Sequence, residues 1–116
     1  QIELIAECMN EVKMFNAPVT SDDLKAILSC TPKVIFRSNN NRYLAFLFSE
    51  LSYRNLITPN WQSVIANHKL FLSKDKSRDK YLNQGDLATA TNYVKDIDHV
   101  KGYAIIDKYI KQLKKL

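Results

Sequence analysis

The chain has 116 residues, 46% hydrophobic and 25% charged, with a net charge of +5. That length and balance describe one folded domain with a modest single core and exclude a disordered segment. No stretch reaches the ~20 apolar residues that span a bilayer, and Glu3, Glu7, Glu11, Asp22 and Asp23 interrupt the N-terminal part where a signal peptide would need a basic start and an apolar run.

The first predicted element is a helix over 2–15. Ile2, Ile5, Met9 and Val12 recur at helical spacing, with Glu3, Glu7 and Glu11 on another face, and Ala17-Pro18 ends the run. A second helix starts at Thr20 and reaches about Ser29. Thr20 and Asp23 have the spacing of a capping box, Val19 and Leu24 that of a hydrophobic staple, and Leu24, Ile27 and Leu28 point inward. Val34-Ile35-Phe36 is β-rich but follows Thr31-Pro32, a helix-start signal, so 31–38 admits either a helical turn or an extended segment. Arg37 to Asn41, "RSNNN", is a break and a capping region. The most apolar helix follows over 42–55, with Leu44, Leu47, Phe48 and Leu51 on one face and Tyr43 and Phe46 widening it, as expected of the centre of the core.

Thr58-Pro59 opens a helix to about His68. Trp61, Val64, Ile65 and His68 share its inward face, so Trp61 is expected to be buried and His68 partly so. Leu70-Phe71-Leu72 and Tyr81-Leu82 flank the charged run "SKDKSRDK" and predict a small β-hairpin. Asn83 and Asp86 form a second capping-box pair, and Leu87, Ala90 and Val94 give the next helix its inward stripe. Asp96 and Asp98 read as the end of that helix and the cap of the last one, 98–116. There Tyr103, Ile106, Ile110 and Leu113 form one face, opposite Lys101, Lys108, Lys111 and Lys115. The fold class is therefore mainly α, five or six helices with one small β-hairpin, in winged-helix-like order. It is one domain with an acidic helical part (1–30), a winged-helix-like part (39–97) and a basic C-terminal helix (98–116). Starting at Gln1 rather than Met, the chain is expected to be a piece of a longer protein.

Catalytic chemistry finds no footing. His68 and His99 lack partners at metal-ligand offsets, so no metal or other cofactor is expected. Two glycines cannot build a phosphate loop, and no residues pair a base with a nucleophile, so no enzyme is expected. Cys8 and Cys30, without a Cys-x-x-Cys, fall on apolar helix positions and read as buried free thiols in a reducing, cytoplasmic setting, with a disulfide as the alternative.

Charge is distributed unevenly. Residues 1–30 carry five acids against two bases, whereas 61–83 carry Lys69, Lys74, Lys76, Arg78 and Lys80 against Asp75 and Asp79. The order helix, turn, helix, hairpin is that of a winged helix-turn-helix, whose second helix enters the major groove of duplex DNA. With Trp61, Val64 and Ile65 inward, the outward side carries Gln62, Ser63, Ala66 and Asn67. Gln and Asn pair with adenine, Ser with several base edges, and a small Ala66 permits close approach. Lys69, Lys74, Lys76, Arg78 and Lys80 would contact phosphate with salt-sensitive affinity. The same residues also suit a solvated helix face and a lysine-guarded hairpin tip. The competing class is a protein-interaction or dimerisation domain that docks a partner through the acidic first helix or the basic last helix.

"NNNRYLAFLFSELSYRNLI", "NWQSVIANHKLFLS" and "KYLNQGDLATA", between Asn39 and Ala90, resemble poorly characterised proteins of Bacteroidetes, some carried on mobile elements. They are also similar to the winged-helix portion of RteC-type regulators of conjugative transposons. The resemblance implies a helical domain with a DNA-binding wing and a role in element regulation. It transfers no functional residue.

Overall fold

In a computed structural model, residues 1–74, 80–94 and 102–113 are described. They form six helices and a two-stranded sheet: α1 (Ile2–Glu11), α2 (Ser21–Leu28), β1 (Phe36–Arg37), α3 (Asn41–Tyr53), α4 (Trp61–Asn67), β2 (Phe71–Leu72), α5 (Gln84–Val94) and α6 (Gly102–Gln112). The mainly α class is as expected.

Three helix starts follow from their caps. The Thr20 hydroxyl accepts from Asp23 N while the Asp23 carboxylate accepts from Thr20 N, both at 3.0 Å. The Asn40 side chain accepts from Arg42 N and Tyr43 N, and Asn83 Oδ1 accepts from Asp86 N at 2.7 Å. Each cap satisfies amides that would otherwise lack an intrahelical partner.

The helix ends follow one rule that the sequence hides. Among the described residues, Lys13, Cys30, Asn55 and Lys69 are the non-glycine residues with positive φ, and each stands just past one of α1–α4. In every case two backbone bonds close the end. The left-handed residue donates three positions back and its successor five back, as in Lys13 N to Asn10 O and Met14 N to Met9 O. This is the Schellman arrangement, built here without the usual glycine. Hence α1 stops at Glu11 rather than 15, and α3 at Tyr53 rather than 55. A left-handed conformation strains any residue with a Cβ, so Lys13→Gly is expected to raise stability by about 1 kcal/mol, measured by urea unfolding.

The segment 31–38 is extended where it pairs. β1 runs parallel to β2, Phe36 beside Phe71 and Arg37 beside Leu72. Single antiparallel bridges flank this pair, Phe15 with Ser38 and Leu72 with Tyr81. The second has the pairing expected of the hairpin; the parallel partner is an addition to the expected fold. Parallel strands need a crossover, and here α3 and α4 supply it. Asparagines hold the loop after α1. Asn10 exchanges two bonds with the Val19 backbone, at 2.7 and 2.9 Å, and Asn39 Nδ2 donates to Lys13 O and Phe15 O.

α3 packs on α5 and α6, α1 on α2 and α6, and α4 on α5. At the centre Phe71, fully buried, stacks on Phe15 with 4.8 Å between centroids and meets Phe48 edge-on at 6.3 Å. Phe48 in turn reaches Trp61 at 5.6 Å. Trp61 is only 6% exposed, as its position on the inward face requires. Three burial expectations fail at helix ends. Leu28 is 41% exposed, His68 is exposed, and Cys30 is a half-buried free thiol in the left-handed turn, because the chain changes direction at each of these ends. Cys8 is buried and free. The caps and lysines expected at 95–101 and 114–116 lie outside the described residues.

Candidate nucleic-acid interface

The inward face of α4 is fixed by Trp61 and Ile65, both buried in the core. The other residues follow from helical geometry. Ser63 is half-buried and Asn67 exposed on the outward side, and Asn67 Nδ2 donates to Ser63 Oγ at 3.2 Å, an i,i+4 contact that keeps the two polar groups together. Gln62 faces elsewhere. Its Nε2 donates to Thr91 Oγ1 on α5 at 3.0 Å, and that hydroxyl donates to Leu87 O at 2.7 Å. Gln62 therefore orients α4 against α5 while half-buried, and the small Ala66 on the same helix is half-buried too.

Past the helix end, Lys69 is exposed in the left-handed turn, and its ammonium stands 5.7 Å from the centroid of the Tyr81 ring. Tyr81 is 39% exposed. The Leu72–Tyr81 bridge and a 2.6 Å bond from Ser73 N to Lys80 O bring the two arms of the loop together, with Lys74 and Lys80 exposed on either side. Arg37 joins this root from β1, its Nη1 donating to Ser73 O at 2.9 Å. Ser63, Asn67, Lys69, Lys74 and Lys80 thus belong to α4 and the loop root that follows it. Lys76 and Arg78 lie outside the described residues.

No protein-family model, curated protein or solved structure matches this chain.

Tyr81 joins the candidate residues only in the structure, although a signal for it is present in the sequence. Leu82 is inward and buried, so strand alternation turns its neighbour outward. A ring beside a lysine can stack on a base or hold a cation near phosphate. Among the described residues, no three His, Cys, Asp or Glu side chains are grouped to hold a metal, and no helix is long and apolar enough to cross a membrane.

The charged faces of α1 and α6 meet each other. Tyr109 Oη donates to Glu11 Oε1 at 2.7 Å, Lys108 lies 3.9 Å from Glu11 Oε2, and Lys111 pairs with Asp107 at 3.0 Å. The hydrogen bond to Glu11, followed by burial, pushes the Tyr109 hydroxyl up to about 12. Burial, with the Glu11 charge adding, pushes the Cys8 thiol up to about 12 as well. Both shifts favour the neutral forms in the folded state. Their stabilisation is complete below the unfolded values, 9.0 for the thiol and 10.0 for the phenol, and is lost as pH rises from there through about 12. The thiol contributes up to about 4 kcal/mol of this loss. The thermal midpoint is therefore expected to fall across that window. Glu11→Gln should move the Tyr109 titration, followed by ring NMR signals, back toward the ordinary phenol range.

Proposed function

We propose that this domain is a non-enzymatic, cytoplasmic DNA-binding module with an accessory or regulatory role. Its contact surface comprises the outward side of α4 and the loop root between β2 and Tyr81. The observation that carries the reading is the loop root itself. Exposed Lys74 and Lys80 flank one strand bridge, and Lys69 stands over the exposed Tyr81 ring at the end of α4. Phosphate contact from these lysines is sequence-independent, while base contact falls to Asn67 and Ser63 on the neighbouring helix face. Gln62, spent on Thr91, serves to position α4. The resemblance of Asn39–Ala90 to the winged-helix part of RteC-type regulators agrees with this reading and extends it to mobile-element regulation. The competing protein-partner reading is weakened by the pairing of Glu11 with Tyr109 and Lys108, which spends charge of α1 and α6 on each other.

Binding to a mixed-sequence duplex at ~50 mM salt is expected to shift NMR signals of Ser63, Asn67, Lys69, Lys74, Lys80 and Tyr81, and to weaken steeply as salt rises. Exchanging Lys74 and Lys80 for Ala should weaken binding to all sequences alike and lower the salt slope by about 1 for each lysine removed. Asn67→Ala should cost roughly 1–3 kcal/mol on a preferred site and little elsewhere. Absence of shifts at high-micromolar duplex sinks the proposal. Shifts confined to α6 transfer polyanion binding to the last helix.

A further inference from the structure

The core is not closed everywhere. Between α1, α2, the C-terminal half of α3 and the turn after it lies a cavity of about 150 Å³. Ile5, Met9, Leu24, Phe48, Leu51 and Ile57 line it, and apart from Gln1 every lining residue is apolar. Protein interiors hold few voids larger than a water molecule. Walls this apolar offer water few hydrogen-bond partners and suit an apolar guest about the size of benzene. Leu28 lines the cavity while 41% exposed, so the space opens to solvent beside this side chain.

We propose that this cavity is a binding site for a small neutral apolar molecule, the size of a single aromatic ring or a short hydrocarbon. Three observations choose that occupant. The volume admits one ring and is too small for the row of side chains a helix face would insert. Apart from Gln1, the lining has nothing to pair with a charged or strongly polar guest. The cleft that adjoins it across Gln1 and Ile2 presents Glu3 and Lys25 together, which gives a charged headgroup no net attraction. The guest would restore dispersion contacts the lining now lacks. Phe48 carries the consequence outward, because its ring faces Trp61 of α4 at 5.6 Å. The site is independent of the nucleic-acid reading, and the only tryptophan of the chain reports on it.

The test is a titration of the whole chain with benzene, followed through methyl NMR signals and Trp61 emission. The expected result is a saturable set of shifts centred on Ile5, Leu24, Leu51 and Ile57, a change in Trp61 emission with the same midpoint, and a raised thermal midpoint. Ile5→Phe, which fills the cavity, should weaken benzene binding at least tenfold with the unliganded Trp61 emission retained. Leu56→Phe, at the half-buried rim, is the second blocking variant should the first lose its fold. Shifts that fail to saturate, or that scatter over the surface, overturn the proposal, as do filled variants that bind as well as the original. Methyl shifts that follow protein concentration rather than benzene assign the cavity to a side chain from a second copy and overturn it equally.

Discussion

Phe71→Ala is expected to cost about 3–5 kcal/mol, a large share of the stability of a domain this size. The ring is fully buried and belongs to three systems at once: the register of β2 with β1, the stack on Phe15 that anchors the loop after α1, and the edge contact with Phe48 of α3. Truncation leaves a void that none of these can fill without disturbing the other two. The loss should show in urea unfolding monitored by Trp61, whose neighbour Phe48 is also a neighbour of Phe71. A double-mutant cycle with Phe15→Ala should return a coupling of about 0.5–1.5 kcal/mol for the stacked pair. A cost near ~1 kcal/mol for Phe71→Ala, the average for point substitutions, would show that the aromatic cluster is not the keystone of the core.

Gly102→Ala is expected to destabilise by about 1–3 kcal/mol, against the usual gain when alanine replaces glycine in a helix. A Cβ at Gly102 would overlap Cζ and the hydroxyl of Tyr43. The Tyr43 ring has little room to retreat. It is half-buried and meets Tyr103 edge-on at 4.9 Å, and Tyr103 in turn meets Phe46 at 5.6 Å. The first residue of α6 therefore needs to be the one without a side chain. In a Tyr43→Leu background the overlapping atoms are gone, and Gly102→Ala should become nearly neutral. Equal losses in both backgrounds would remove the steric explanation. The pair is measured by denaturant unfolding of the four proteins in the cycle.

Much of the fold is legible in the sequence because it rests on local chemistry. Thr20 with Asp23, Asn40, and Asn83 with Asp86 cap the helices as their spacing indicates, and the stripes of α3, α5 and α6 bury the residues their period selects. The ends of α1 and α3 are not legible, because the left-handed positions that close them are held by Lys13 and Asn55 instead of glycine. The chain turns away immediately after α2 and α4, which is why periodicity assigns Leu28, Cys30 and His68 too much burial. The β1–β2 pairing joins residues thirty-five positions apart through only two residues each, too short to leave an alternating pattern. Of the candidate site, Ser63 and Asn67 follow from the period of α4. The tie between Gln62 and Thr91 depends on where α5 lies, which no spacing in the sequence encodes.

The parallel pairing also sets an order of events in time. Phe36 cannot meet Phe71 until the whole of α3 and α4 has folded back, a closure over some thirty-five residues that costs about 3 kcal/mol in chain entropy. Helices and their caps form from near neighbours and reward the chain at once, whereas this patch rewards it only after the crossover exists. The contacts it makes are therefore expected to form late, beyond the top of the folding barrier, with φ-values near zero at Phe36 and Leu72. Interactions of that kind do little for the speed of folding and much for the slowness of unfolding. On that expectation the two short strands, the smallest regular elements among the described residues, act chiefly as a latch on the lifetime of the folded state.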